Sequence, residues 1–407
     1  MTVRVNKPSF NIREKLSELG RKFGLKGSEL AAAETVQEAR EIVSAGRKNM
    51  IINGAMQVAQ RVAYPSTQPT VSYSNYYTVD RWRMNVSDAN FGTWTFSQSN
   101  TVPSGKGFAY SWKWDCQAAD TSLASDHYGI AEYRIEAQDL QHLGYGTSSA
   151  KPITLSFWVK TNKTGTYVFS IYANDGVRYV SKTYTVNEAN AWEYKTITIE
   201  GDAAGTINND TGDGFRLWWW LGSGTGYAGG TMQPGVWRSW SSESSGAAPG
   251  LSVNMADSTS NEWFITGVQL EVGRNATDFE HRSYGEELKL CERYFEKIWQ
   301  NNNTASPHSG GDGYNTISPG IHNGSNGYYV WKFRTQKRIR PSLDYAGKFR
   351  VFGASSIQNL TFNEFYSPGV DAARLRVPHS GSAGDAFILE FDGANSSNGY
   401  ITANAEL

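Results

Sequence analysis

Short stretches in which apolar and polar residues alternate recur through the middle of the chain, and this pattern constrains the fold most. Ile153–Lys160 and Tyr167–Ala173 are two such stretches, and Thr161–Gly165 separates them with Asn and Gly. A period of two residues is typical of strands that bury one face, and Asn and Gly favour turns. Tyr194–Ile199 and Glu262–Glu271 continue the pattern. The sequence therefore predicts a sandwich of two sheets.

Composition agrees with a mostly β fold. The chain has 407 residues with 22 Tyr, 18 Phe, 14 Trp and 41 Gly, which favour strands and turns. Its 38 basic and 39 acidic residues show no basic stripe, so we expect no nucleic-acid partner. No segment approaches the roughly 20 apolar residues of a membrane helix, so we expect no membrane insertion. Cys116 and Cys291 lie far apart and are expected to be free, buried thiols in a protein made in a reducing cytoplasm.

Residues 1–46 form a separate N-terminal segment with short helices. Asn11 with Glu14, and Thr35 with Glu38, have the spacing of helix caps. The apolar residues of the segment are too few to close a core, so we expect them to pack on another protein. An alternative is that the segment packs on the β domain of its own chain. The predicted docking residues are Ile12, Leu16, Leu19, Phe23, Leu25 and Leu30.

A second helical pattern separates two β regions. Ser283 with Glu286 three residues later forms a capping box that predicts a connector helix over residues 283–300. Its apolar residues fall on more than one face, so both faces need a cover. The chain is thus divided into a β sandwich at 47–282, the connector helix and a C-terminal β sandwich at 301–407.

Signatures of catalysis are absent from the sequence. It has no Gly-rich phosphate loop, no nucleophile elbow and no His or Cys cluster with metal-ligand spacing, so we expect no enzymatic activity and no cofactor. Glycosidase chemistry would need two carboxylates brought close together by the loops. The candidates for such a pair are Asp210, Asp213, Glu243 and Asp257.

A tryptophan-rich stretch at Arg216–Tyr227 is the most distinctive candidate for binding. Sugar rings present apolar C–H faces that stack on flat aromatic rings, and Arg side chains satisfy the hydroxyl groups. Alternation within a strand also places Trp218 and Trp220 on one face and Trp219 on the other, and large aromatic rings dominate sandwich cores. Core packing therefore competes with glycan binding. The candidate glycan-binding residues are Trp219, Tyr227, Trp237, Arg238 and Trp240.

Three segments resemble the jelly-roll modules of bacteriophage virion fibres. They are Arg47–Arg61, Thr266–Gly273 and Phe279–Glu296, and the Asp-Arg-Trp motif within Tyr77–Trp82 matches a framework strand of the same modules. Asn11–Leu30 is similar to the N-terminal lead of marine phage virion proteins, especially those of cyanophages. The resemblance implies a carbohydrate-binding-module-like jelly roll whose first segment lies beside its last strand.

The resemblance also implies a function. It indicates a homotrimeric tail fibre located in the virion, which docks through residues 1–46 to another virion protein, such as a tail adaptor, nozzle or capsid protein, and presents β domains to a glycan on the host surface. A capsid decoration or head-fibre protein is the alternative, and a polysaccharide depolymerase is a third possibility.

Related modules often hold calcium where the first and last strands meet. Asn53, Gln57 and Glu271 lie on the matching segments here. One carboxylate and two amides provide too few oxygen ligands for calcium, which takes six to eight. We therefore predict no metal site and interpret Asn53–Gly54 as a turn.

Overall fold

A computed structural model describes residues 48–61, 71–87, 90–240, 246–299, 316–352, 357–366, 369–391 and 399–407. The predicted docking residues of the N-terminal segment lie outside the described residues, so that role stays a prediction. The described part of the chain confirms the mostly β fold class.

The first domain is built from two antiparallel sheets. Its strands are β1 (Trp82–Val86), β2 (Thr93–Ser99), β3 (Ser111–Ala118), β4 (Tyr128–Glu136), β5 (Ile153–Thr161), β6 (Gly165–Ala173), β7 (Arg178–Val186), β8 (Glu193–Ile199), β9 (Asp213–Ser223), β10 (Arg238–Ser239) and β11 (Glu262–Val272). One sheet has the order β1-β4-β9-β6-β7-β10, and the other has the order β2-β3-β11-β5-β8. A 3-10 helix (Ala137–Leu143) and the short helix α1 (Thr225–Ala228) lie between strands.

The space between these sheets holds the main hydrophobic core. Leu155, Phe157 and Val159 alternate along β5 and are fully buried, as the sequence predicts. Trp219 of the opposite sheet meets Phe157 at a ring-centroid distance of 5.9 Å. Side chains from the inner faces of both sheets therefore interdigitate, which is how two twisted sheets exclude water from one core.

The start of this domain lies beside its last strand, as the resemblance implies. The Met50 N–H donates to the Leu270 carbonyl at 2.9 Å, and the Val268 N–H donates to the Gly54 carbonyl at 3.0 Å. A Cβ at Gly54 would lie 2.1 Å from the Val268 oxygen, so this close approach requires glycine. Asn53 has φ +60° within the turn predicted at Asn53–Gly54, which the structure confirms.

The connector helix is shorter than predicted. Helix α2 (Tyr284–Glu292) begins with the predicted capping box of Ser283 and Glu286. The chain then continues as β12 (Phe295–Trp299), which pairs with a strand near the C-terminus. The prediction of a helix to residue 300 is wrong because Phe295, Ile298 and Trp299 complete a sheet with residues that lie about a hundred positions later in the chain.

The second domain also contains two antiparallel sheets. Its further strands are β13 (Thr316–His322), β14 (Asn326–Lys332), β15 (Ser342–Ala346), β16 (Phe349–Phe352), β17 (Ile357–Leu360), β18 (Glu364–Tyr366), β19 (Ala372–Pro378), β20 (Ala386–Phe391) and β21 (Tyr400–Asn404). One sheet has the order β12-β21-β15, and the other has the order β17-β16-β20-β13-β14-β19-β18. Together they enclose a separate aromatic core, with Tyr329, Phe349 and Phe391 fully buried.

Buried charges join the two domains. Arg81 is 1% exposed and forms a salt bridge with Glu406, which follows the last strand of the second domain. Glu406 also accepts from Arg61 at 2.8 Å, and Arg61 contacts Asp80 at 3.2 Å. The Tyr76 hydroxyl donates to the Leu407 carbonyl at 3.0 Å. The C-terminal residues are therefore held by the first domain.

Both cysteines of the chain are buried. Cys116 and Cys291 are free thiols, as expected. Within the described ranges, no helix combines the length and the apolar character needed to cross a membrane.

Candidate functional site

Strand β9 carries tryptophans on both faces of its sheet. Leu217, Trp219 and Leu221 point into the main core and are fully buried. Trp218 and Trp220 lie on the opposite side, in a separate cluster, and are also buried. The prediction that Trp219 contacts a glycan is therefore wrong, because a ring closed between two sheets offers no face to a sugar. We call the opposite side of this six-stranded sheet the outer face.

A loop after β9 covers part of the outer face. The hydroxyls of Ser170 and Ser181 both donate to the Ala247 carbonyl, at 2.9 and 2.8 Å. The Trp220 indole N–H donates to Ser170 at 3.0 Å, and the Tyr227 ring lies 5.6 Å from Trp220. Tyr227 is therefore half-buried beside this loop, and its ring contacts Trp220 and Tyr128.

Trp237 lies apart from Trp240, although only two residues separate them. Its ring packs against Tyr145 at 5.7 Å and Phe215 at 6.3 Å. Its indole N–H donates to the Glu200 carbonyl at 2.7 Å. Trp237 therefore packs at the edge of the main core, so the predicted candidates do not form one site.

Three aromatic rings form a ridge on the open part of the outer face. Tyr172 stacks on Trp218, with centroids 5.4 Å apart and an interplanar angle of 7°. Trp240 meets Tyr172 edge-on at 5.4 Å and Trp218 at 5.6 Å. Trp218 is only 6% exposed, whereas Tyr172 and Trp240 are half-buried. We call these three residues the aromatic ridge, and its accessible rings are Tyr172 and Trp240.

Arginines flank both ends of the ridge. The Arg216 guanidinium lies 5.5 Å from the centroid of Tyr172. Arg238 lies 5.4 Å from the ring of Tyr179, and Tyr179 meets Trp240 at 5.4 Å. The structure thus brings together Arg238 and Trp240 of the predicted set and adds Tyr172, Trp218 and Arg216 beside them.

A buried carboxylate organises the polar residues next to the ridge. Glu132 is 0% exposed and accepts from Arg83 at 2.8 Å and from Arg134 at 2.6 Å. The amide of Asn85 and the indole N–H of Trp218 donate to its other oxygen at 2.7 and 2.8 Å. Burial alone would raise the pKa of Glu132, but the two guanidiniums outweigh burial and lower that pKa. Glu132 is therefore ionised, and its hydrogen bonds orient the Trp218 ring and the side chains of Arg83 and Arg134.

Asp213 plays a related part at the start of β9. It contacts Arg216 at 2.5 Å and Arg134 at 3.5 Å. Burial raises the pKa of Asp213 despite both arginines, and its Oδ1 has no partner within the described part of the chain. The carboxylate of Asp210 accepts the Gly212 N–H at 2.8 Å, which is a turn contact. These acids orient arginines or stabilise the backbone.

The arrangement on the outer face suits a polyhydroxylated ligand. The side chains of Arg83, Arg134 and Arg216 are 19%, 14% and 28% exposed. Each guanidinium has five N–H donors in a fixed plane, so these arginines retain donors beyond their ion pairs. Tyr172 and Trp240 provide flat apolar surfaces next to those donors. A sugar ring needs both features, since its C–H face is apolar and its rim is polar.

One candidate carboxylate pair for glycosidase chemistry, Asp213 with Asp257, is too far apart to act together. Glu243 lies outside the described residues. Asp213 begins β9, whereas Asp257 follows Met255, whose N–H donates to the Leu221 carbonyl near the other end of β9 at 2.8 Å. Eight residues of strand span about 26 Å, and glycosidase carboxylates lie roughly 5–10 Å apart. Asp213 and Asp257 therefore cannot act as one pair.

The segments matched to the calcium position of related modules do not fit a metal ion. The side chain of Asn53 accepts from the Val58 N–H at 3.0 Å and donates to the Asp80 carbonyl at 3.0 Å. The carboxylate of Glu271 accepts from the Thr277 N–H and hydroxyl at 2.9 and 2.6 Å. Protein donors therefore already bind the side-chain oxygen of Asn53 and the carboxylate of Glu271.

Comparisons with known proteins add weak similarities only. No protein-family model and no curated protein matches the chain. An enzymatically active domain of bacteriophage CBA120 tailspike protein 4 aligns at 11% identity and a TM-score of 0.28, over 55% of this chain and 21% of the tailspike chain. A putative sugar-binding protein from Bacteroides thetaiotaomicron aligns at 11% identity and a TM-score of 0.29, over 56% of this chain and all of its own.

A tandem of two family-22 carbohydrate-binding modules from Paenibacillus barcinonensis Xyn10C covers more of the chain. It aligns over 85% of this chain and 100% of its own, at 8% identity and a TM-score of 0.24. TM-scores this low establish neither a common fold nor a common function. The function of this protein must therefore be inferred from its own residues.

Proposed function

We propose that this protein binds a glycan through the aromatic ridge on the outer face of its first domain. The observation that carries this proposal is the pair of half-buried rings of Tyr172 and Trp240 beside the partly exposed guanidinium of Arg216. Both rings remain partly exposed, whereas Trp219 is fully buried. Partly exposed rings next to hydrogen-bond donors suit a sugar, because its C–H face is apolar and its rim is polar.

We propose binding without cleavage. Glu132, a carboxylate that contacts the ridge within the described residues, is fully buried and accepts four hydrogen bonds from the chain. A general base needs a free lone pair within reach of a water or a substrate hydroxyl. Since Glu132 has its lone pairs occupied and no solvent exposure, it supports the ridge and does not act on a ligand.

Loss of the accessible rings is expected to weaken glycan binding. In a glycan array screen followed by titration with the best ligand, Tyr172→Ala and Trp240→Ala should each reduce affinity by at least tenfold, because each removes a stacking surface at the centre of the site. Trp237→Phe is the matched control, since Trp237 packs elsewhere, and it should bind normally. Normal affinity of both ridge variants would contradict the proposal.

We further propose that this glycan-binding chain is a tail fibre, with residues 1–46 docking to another virion protein and the chain forming a homotrimer. The support is the resemblance of its segments to phage fibre modules and the apolar residues of the N-terminal segment, which cannot close a core alone. A capsid decoration or head-fibre role is the alternative, and imaging of labelled particles separates the two.

Deletion of residues 1–46 tests the docking role. The truncated chain should fold and bind glycan normally but be lost from purified particles, because only the predicted docking residues are removed. Particle incorporation is measured by immunoblotting, and light scattering of the full chain should report a trimer at micromolar concentration. Normal incorporation of the truncated chain would contradict docking through this segment, and a monomer would contradict trimerisation.

A further inference from the structure

The opposite sheet of the first domain carries a second set of aromatic rings that face away from the core. On β5, Phe157 and Val159 are fully buried, so the alternating residues Trp158 and Lys160 lie on the other side of the strand. Tyr194 of β8 is directly opposite Trp158 in the strand register. These residues belong to a surface that we call the lysine–aromatic platform. Its members are Lys106, Trp158, Lys160, Trp192, Tyr194 and Phe264.

The rings of the platform form two adjacent pairs. Trp158 and Tyr194 have centroids 5.2 Å apart, tilted by 45°. Trp192 and Phe264 have centroids 6.3 Å apart, at 64°. Tyr194 is 44% exposed, Trp158 and Trp192 are half-buried, and Phe264 is buried. Tyr194 therefore marks the accessible end of the platform.

Ammonium groups lie directly over these rings. The Nζ of Lys106 is 5.4 Å from the centroid of Trp158, and the Nζ of Lys160 is 5.3 Å from the centroid of Phe264. Trp158 and Lys160 are two positions apart on one strand, which corresponds to about 6.6 Å. Each ring pair therefore has a cation at the distance of a cation–π contact.

Two of the lysines on this side of the sheet lack a carboxylate partner. Among the described residues, neither Lys106 nor Lys160 forms an ion pair. Asp115 and Glu262 both pair with a third lysine, Lys113, at 3.1 and 2.6 Å, and the Nζ of Lys113 lies 5.7 Å from the Phe264 centroid. Three lysines and two carboxylates around Trp158 and Phe264 thus leave an excess of one positive charge.

We infer that the lysine–aromatic platform binds an acidic polysaccharide built from uronic acids. Each uronic acid residue combines a carboxylate with an apolar C–H ring face, and the platform places the exposed ring of Tyr194 and the half-buried ring of Trp158 beside Lys106. The carboxylate pairs with the lysine while the sugar face stacks on the ring. Acidic side chains of a protein would pair with the lysines, but they have no sugar ring to stack on the aromatic residues. The platform is separate from the aromatic ridge, and its ligand is charged.

Titration of the full chain with polygalacturonate, and with the same polymer after reduction of its carboxyl groups, tests this inference. Lys106→Gln combined with Lys160→Gln should weaken binding of the acidic polymer by about tenfold or more, which is the effect of losing roughly 1.4 kcal/mol. Tyr194→Ala should weaken it similarly. The reduced polymer should bind much more weakly, and added salt should weaken the acidic polymer because exposed charges are screened.

Two control variants separate this platform from other surfaces. Lys332→Gln removes an exposed lysine of the second domain, and Trp240→Ala disrupts the aromatic ridge; both should bind polygalacturonate as the unmodified chain does. Unaltered binding by the double lysine variant, or equal binding of the reduced polymer, would overturn the inference. Equal affinity for poly-glutamate would also overturn it, because that result would show recognition of charge without the sugar ring. Loss of binding in Trp240→Ala alone would place the acidic ligand on the ridge instead.

Discussion

Replacement of Trp219 by alanine is expected to lower the free energy of unfolding of the first domain by about 3–5 kcal/mol. The ring is fully buried. Its centroid lies 5.4 Å from that of Trp82, 5.9 Å from that of Phe157 and 5.0 Å from that of Phe169. Truncation removes the apolar surface of the indole and leaves a cavity between two rigid sheets, which cannot close over it. Denaturant unfolding of the full chain, followed by far-UV circular dichroism, measures the loss.

The matched control for this prediction is Trp240→Ala. Trp240 is half-buried on the aromatic ridge, so its removal should cost much less stability while it abolishes most of the glycan affinity. Trp219→Ala and Trp240→Ala thus separate a core tryptophan from a binding tryptophan. Equal losses of stability in the two variants would contradict the assignment of Trp219 to the core and of Trp240 to the site.

Replacement of Glu406 by alanine is expected to destabilise the protein by about 3–5 kcal/mol, because it leaves the buried Arg81 guanidinium without its partner. Arg81 is 1% exposed and the Glu406 side chain is 4% exposed, so little water can solvate the orphaned charge. Arg61 loses its 2.8 Å contact as well. Thermal unfolding of the full chain should show a lower midpoint, and the two domains should unfold less cooperatively.

An exposed ion pair in the second domain provides the control for Glu406→Ala. Glu364 contacts Arg374, whose side chain is 52% exposed. Exposed pairs contribute little to stability, since water and salt screen them. Glu364→Ala should therefore leave the unfolding midpoint almost unchanged. If Glu406→Ala lowered the unfolding midpoint as little as Glu364→Ala does, the first domain would not hold the C-terminal residues in the way that the structure describes.

The strands could be predicted from the sequence because each buries one face. Ile153–Lys160 and Glu262–Glu271 were predicted within one residue of β5 and β11. Their alternation is strong because one face of each meets the core and the other meets polar surroundings. The capping box at Ser283 was also predictable, since its two hydrogen bonds join residues three positions apart.

The end of the connector helix could not be predicted in the same way. Phe295–Trp299 becomes a strand only because it pairs with Tyr400–Asn404. That partner is about a hundred residues away, and no local pattern reveals it. Tertiary pairing therefore overrode the helical interpretation of Tyr294 and Phe295.

The candidate site was only partly predictable for a related reason. Alternation separates Trp219 from Trp218 and Trp220, but it does not say which side faces the core when a loop also covers the outer face. Tyr172 lies in a strand with no distinctive local motif, and it joins the site only because β6 pairs with β9 in register. Trp237 and Trp240 are three positions apart, yet only Trp240 joins the ridge while Trp237 packs against the main core, and no local pattern separates the two.

A crystal structure of the full chain with its best glycan ligand would test the role of the aromatic ridge. We expect a sugar ring stacked on Tyr172 or Trp240, with at least one hydroxyl within hydrogen-bond distance of Arg216. An ordered sugar bound only at another surface of the chain, with the aromatic ridge open to solvent, would contradict that role.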